Sequence, residues 1–210
     1  MKKNFILLSS VFLLAFASCS FTKGVSETSD KDKLLLELIS YVLEKLHFEP
    51  TEVDDAFSER VYDNFIGGLD PMKRYFLAED IRAFDAYKTQ IDDQIKAVDI
   101  SFFNLVQERL VYRMDAAKDI YISVLERPYN FNQIDSLEVD YEALEAPASA
   151  LALKERWRDQ LKYVTLSTFF AKKENEALKK KEDPSFELSS DEALEIAARA
   201  QTRETLEEYF

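Results

Sequence analysis

At 210 residues, with 47% hydrophobic and 13% aromatic side chains and only three glycines, the chain is long enough to bury a core and reads as globular and helical. That composition argues against disordered and fibrous classes. Forty acidic against 27 basic residues leave a formal net charge of −13, which argues against nucleic acid and anionic membrane surfaces as partners and reads as a solvated surface.

Met1 to Cys19 runs from a basic start (Lys2, Lys3) through an apolar stretch, Phe5 to Phe16, to the small residues Ala17-Ser18. This is the pattern of an export signal over 1–18, too short to span a membrane. The Ala-Ser-Cys ending resembles the bacterial lipobox, although Phe16 stands where an aliphatic residue is usual. On that resemblance Cys19 is the lipidation site, and the expected location is periplasmic, lipid-anchored, in a Gram-negative bacterium. Cleavage near Ala17 is the alternative and leaves Cys19 a free thiol. Since Cys19 is the only cysteine, no intrachain disulfide forms.

Residues 19–29 are small, polar and aperiodic, the pattern of a flexible tether, so the helical domain is expected over 30–210. The spacing of Leu35, Ile39, Val42 and Leu46 predicts a helix from Asp30 to Leu46, with Leu34, Leu36 and Leu43 widening its apolar stripe. His47, the lone histidine, follows it and reads as a capping residue. Thr51 is the expected N-cap of a second helix whose ridge is Val53, Phe57, Val61 and Phe65 and which ends at Gly67. Gly67-Gly68 with Asp70-Pro71 then predicts a tight turn in which Asp70 accepts from backbone N–H groups ahead of it.

A third helix is expected from Ala78 to Val98, with Ile81, Phe84, Ile91, Ile95 and Val98 inward. Asp99 and Ser101 open a fourth, to Glu126, with Phe103, Val106, Leu110, Met114, Ala117, Tyr121 and Val124 as its inner face. The short link makes these two antiparallel neighbours. Phe102, Phe103, Tyr112 and Tyr121 read as core, not as a ligand box. Arg127-Pro128 ends the fourth helix, and the segment to Pro147 lacks helical period, with a Leu137-Val139-Tyr141 alternation. A fifth helix, Ala148 to Lys173, turns Leu153, Trp157, Leu161 and Val164 inward. Lys179-Lys180-Lys181 reads as a solvated helix end, and Ser189 with Glu192 as a capping box for a last helix through Ile196, Ala197, Ala200 and Leu206. The expectation is an all-α, irregular bundle of about six helices.

Candidate chemistry is sparse. Adjacent acids on a helix, Asp54-Asp55 and Asp92-Asp93, point about 100° apart and read as surface groups. The only Gly-x-Ser, Gly24-Val25-Ser26, falls in the tether. Catalytic, cofactor-binding and metal-binding residues are therefore all expected to be none, with no cofactor.

Several stretches together resemble the N-terminal region of the carboxy-terminal processing, or tail-specific, peptidases. They are Ala56-Phe57, Val61-Tyr62-Asp63, Leu69-Asp70, Phe76-Leu77 through Phe84, Arg127-Pro128-Tyr129-Asn130-Phe131, and Trp157. In that family a serine activated by a lysine works in a domain that follows a PDZ module. Both would lie beyond Phe210, and no catalytic role transfers to these residues. The resemblance implies a non-catalytic helical domain that packs around the PDZ and protease parts of the same polypeptide, shapes access for protein substrates and offers a surface to an adaptor lipoprotein. A stand-alone helical lipoprotein acting as an interaction module is the alternative.

Overall fold

The computed structural model describes residues 25–45 and 52–210, and among them it is all helical. Seven helices follow in order: α1 Val25–Lys45, α2 Asp55–Leu69, α3 Ala78–Asp85, α4 Ile91–Ala97, α5 Ser101–Leu125, α6 Ala150–Glu182 and α7 Asp191–Tyr209. The count exceeds the expected six because the span predicted as one helix, 78–98, is two. Turns occupy 86–90, and Val98 takes a left-handed φ of 52°, which closes α4. The described chain forms two compact units, one of α1 with Asp92–Ile100 and the other of Asp54–Ile91 with Ser101–Phe210.

In the first unit, the expected stripe of α1 is turned outward. Leu35, Ile39 and Val42 are exposed and Leu36 is the buried leucine, while Leu46 and His47 lie outside the described residues. Asp92 is not the surface acid expected of it: it is buried and ion-paired with Lys96 at 2.7 Å.

In the second unit, Asp54 stands just before α2 and its carboxylate accepts from the Phe57 N–H at 2.8 Å; Thr51, the expected N-cap, lies outside the described residues. Asp54 is thus a capping group. The most buried positions of α2 are Ser58, Tyr62 and Ile66, one residue along from the predicted ridge, which is only half-buried. Phe65 still packs edge-on against Phe102 and Phe103, at 5.9 and 5.1 Å between ring centroids. Neither Gly67 nor Gly68 makes the turn: α2 runs through both to Leu69, and neither has a positive φ.

Asp80 of α3 meets Arg109 and Arg113 of α5, whereas Tyr87, just past α3, packs on Phe102 at the start of α5. The two segments are therefore antiparallel. The main core joins Tyr75 and Leu77 to Ala117, Tyr121 and Val124 of α5, Leu153, Trp157 and Leu161 of α6, and Leu206 of α7. Helices α6 and α7 lie antiparallel, with Thr165 against Thr202 and Lys173 against Asp191. Small groups line their contact: Ala198 and Thr165 are fully buried. The Thr202 hydroxyl donates to the Ala198 carbonyl at 3.1 Å, which leaves Thr165 as the donor to Thr202. Val164, expected inside, is exposed and Thr165 takes its place; in α7 Leu194 is buried and Ile196 exposed. Ser190, not Ser189, caps α7, because the Ser189 hydroxyl is bound to Glu176 at 2.7 Å. The three lysines do end α6, with Lys180 donating to the carbonyls of Pro184 and Phe186.

Candidate functional site

The link from α2 to α3 lies in the stretch where the family likeness is most specific, and its irregular backbone is heavily hydrogen-bonded. Asp70, 2% exposed, accepts the N–H of Arg74 on one carboxylate oxygen at 2.8 Å and those of Tyr75 and Phe76 on the other, both at 3.0 Å. Pro71 follows it, and Lys73 takes the left-handed conformation at φ 51° that folds the chain back. The next two donors are also matched, Leu77 N–H to Asp80 Oδ2 at 2.8 Å and Ala78 N–H to the Pro147 carbonyl at 2.9 Å. Five consecutive N–H groups thus have acceptors, which lets non-helical backbone be buried.

The carbonyls are matched from the opposite side by one face of α6. Gln160 donates to Met72 O at 3.1 Å, Arg156 to Lys73 O at 2.9 Å, and Trp157 Nε1 to Arg74 O at 2.8 Å. Trp157 itself is fully buried. The Arg74 guanidinium lies over its ring at 4.9 Å and near Tyr75 and Tyr209 at 5.5 and 5.9 Å. Burial pushes the Tyr75 hydroxyl up to about 12.

Asp80, fully buried, anchors the other end. Arg113 bonds both of its oxygens, through Nε at 2.7 Å and Nη2 at 3.0 Å, and Arg109 Nη1 bonds Oδ1. Arg113 also reaches Glu79 at 2.8 Å. Burial alone would raise the Asp80 pKa, but the hydrogen bonds from Arg113, the Leu77 N–H and Arg109 outweigh it and hold the carboxyl below its ordinary 3.8. Both buried aspartates are thus committed to positioning backbone and balancing guanidinium charge.

Sequence reasoning found Asp70 in its role, and Phe76, named there for the family likeness, is 1% exposed and edge-on to Phe84 at 5.2 Å. That reasoning missed Arg113, Arg156 and Gln160. A signal existed for Arg113, which falls on the inward spacing Val106, Arg113, Ala117: a charge in an apolar register asks for a buried partner. Arg156 and Gln160, four apart beside the sole tryptophan, were visible only as polar neighbours. Cys19, the expected lipidation site, lies outside the described residues, as does Gly24 of the Gly-x-Ser.

A second feature lies where the chain leaves α5. A groove of about 440 Å³ runs between 123–135 and α6, lined by Arg127, Tyr129, Asp135, Lys154, Arg158 and Lys162 among others. Helix α7 braces the chain here: Glu195 accepts the Tyr129 N–H at 3.0 Å, and Arg199 donates to the last carbonyl of α5, Leu125 O, at 2.6 Å.

The model of the tail specific protease N-terminal domain matches residues 39–209. A tail-specific protease of Haemophilus influenzae is 25% identical over 140 residues, covering 66% of this chain and 20% of that protein. The chain thus spans about a fifth of the length of this relative. The matched span contains the Asp70 and Asp80 anchors, their seat on α6 and the α7 brace, and on that match the chain belongs to the tail-specific protease N-terminal domain family.

Proposed function

We propose that this chain serves as the non-catalytic helical N-terminal domain of an exported tail-specific serine protease, scaffolding the PDZ and protease domains of the same polypeptide and governing how protein substrates or an adaptor lipoprotein reach them. The observation that carries the reading is the α2–α3 link. Its two buried aspartates and the α6 face that receives it spend their polar groups on holding one backbone path, as a positioning element requires and a reactive site does not. The extent of the family match and the far greater length of the Haemophilus relative support a longer polypeptide.

In this reading the serine and lysine that cleave lie outside these 210 residues. The purified chain leaves an unfolded substrate with an apolar C-terminus intact, whereas the polypeptide that also carries the PDZ and protease domains degrades it. Cleavage by the 210-residue chain, abolished by changing one of its own serines, would overturn the assignment. In the same reading the leader over 1–18 and lipidated Cys19 put the protein on the periplasmic side of a membrane, with α1, which starts at Val25 inside the expected tether, following closely on the anchor. Cys19→Ala then moves it from the membrane to the soluble fraction; identical fractionation of parent and variant rejects the anchor.

A further inference from the structure

We propose that the groove between the Arg127–Asp135 segment and α6 is a docking site for a short acidic peptide segment in extended conformation. Lys154, Arg158 and Lys162 line it from one side, four residues apart along α6, so they form a single row on one helix face. Successive cations are about 6 Å apart along the axis and the row is about 12 Å long. An extended peptide places alternate side chains on one face about 6.6 Å apart. Carboxylates at every second residue therefore meet the row in register. Arg127 adds a fourth cation to the lining, and the volume of about 440 Å³ lies within the roughly 300 to 1,000 Å³ typical of ligand clefts.

The row already holds carboxylates. Asp135, on the facing segment, sits 2.5 Å from Lys162 Nζ, and Asp159 sits 2.9 Å from Arg158 Nη2. Arg127 and Lys154 have no ion pair among the described residues. Glu126 also lines the groove, beside Arg127, so four cations face two carboxylates of the lining, with Arg127 and Lys154 left for an incoming chain and Asp135 as the group it displaces. Charge decides the class of partner. On a protein of net charge −13 a long polyanion would leave a 12 Å row and meet an acidic surface, whereas a few residues of peptide would not. This inference does not depend on the chain's place in a protease.

The test is fluorescence anisotropy of the 210-residue chain with a labelled Glu-Ser-Glu-Ser-Glu peptide, against the isomer Ser-Ser-Glu-Glu-Glu and a single-stranded DNA of equal charge. The alternating peptide is expected to bind best and to weaken with added salt. Lys154→Glu with Arg158→Glu, both exposed positions, is expected to weaken it about tenfold with an unchanged melting temperature. Asp135→Asn, which frees Lys162, is expected to tighten it about threefold. Equal binding of the two isomers, tighter binding of the DNA, or an equal loss on reversing Lys179 and Lys180 at the far end of α6 would each overturn the proposal.

Discussion

Among the irregular segments that join helices in the larger unit, two are treated oppositely. The α2–α3 link from Asp70 to Leu77 is short and largely buried, its donors taken by Asp70 and Asp80 and its carbonyls by Arg156, Trp157 and Gln160. The connection from Glu126 to Ser149 is tied down near its ends, by Glu195 at Tyr129 and by Ala78 N–H at Pro147. Its middle makes local turns such as Asn132 N–H to Asn130 and Asp140 N–H to Glu138, meets α6 through single side chains (Lys162 at Asp135, Arg156 at the Glu145 carbonyl), and leaves Ile134 99% exposed. The α2–α3 backbone is buried because side chains match its polar groups one after another, whereas the sparser bonds of the longer connection leave it at the surface.

The largest loss is expected from Asp80→Ala. It strands Arg113, which is buried, and removes a partner of Arg109, so urea unfolding should show a cost of about 3 to 5 kcal/mol. The pH dependence follows from the direction of the shift. A carboxyl held below 3.8 in the folded state stabilises above that value and loses its contribution as the pH falls through the lower folded pKa. The gap between parent and Asp80→Asn should therefore be full at pH 7 and shrink as the pH falls below 3.8; a gap unchanged by pH would mean that the charge is not what matters.

Phe76→Ala empties a site 1% exposed and should cost about 3 to 5 kcal/mol, read from the midpoint of a melt. An unchanged midpoint would turn Phe76 into a docking residue. Trp157→Phe keeps most of the ring but leaves the Arg74 carbonyl without its donor, an expected loss of about 1 to 3 kcal/mol in the same assay.

Smaller effects separate the two segments further. Gly68→Ala should stabilise by about 0.5 to 1 kcal/mol, because α2 is helical there and nothing lies within 4 Å of an added Cβ. A turn at Gly68 would instead make the substitution costly. Ile134→Ser, in the exposed connection, should change the unfolding midpoint by less than the equivalent of about 0.5 kcal/mol.

Much of this was legible in the residues themselves. Apolar periodicity located α2, α5, α6 and α7, since each must bury one face, and Asp70 before Pro71 announced a turn with its own acceptor. The glycine pair misled because glycine marks permissiveness, not obligation, and a helix with open space around it tolerates two. The capping residues came out displaced, at Asp54 and Ser190, because several candidates stood together and geometry chose among them.

What the sequence by itself determined is the helical class, the family likeness and large side chains that fill the centre, Phe84, Tyr121 and Trp157, because those rest on spacing and on the cost of leaving apolar surface in water. Tertiary structure alone decided which polar groups are buried. Asp80 could join Arg113 across 33 residues, and Trp157 could reach Arg74 across 83, only once α5 and α6 had been packed on the same link. A buried charge or carbonyl is tolerated by virtue of its partner, and a partner that distant in the chain is defined by the fold.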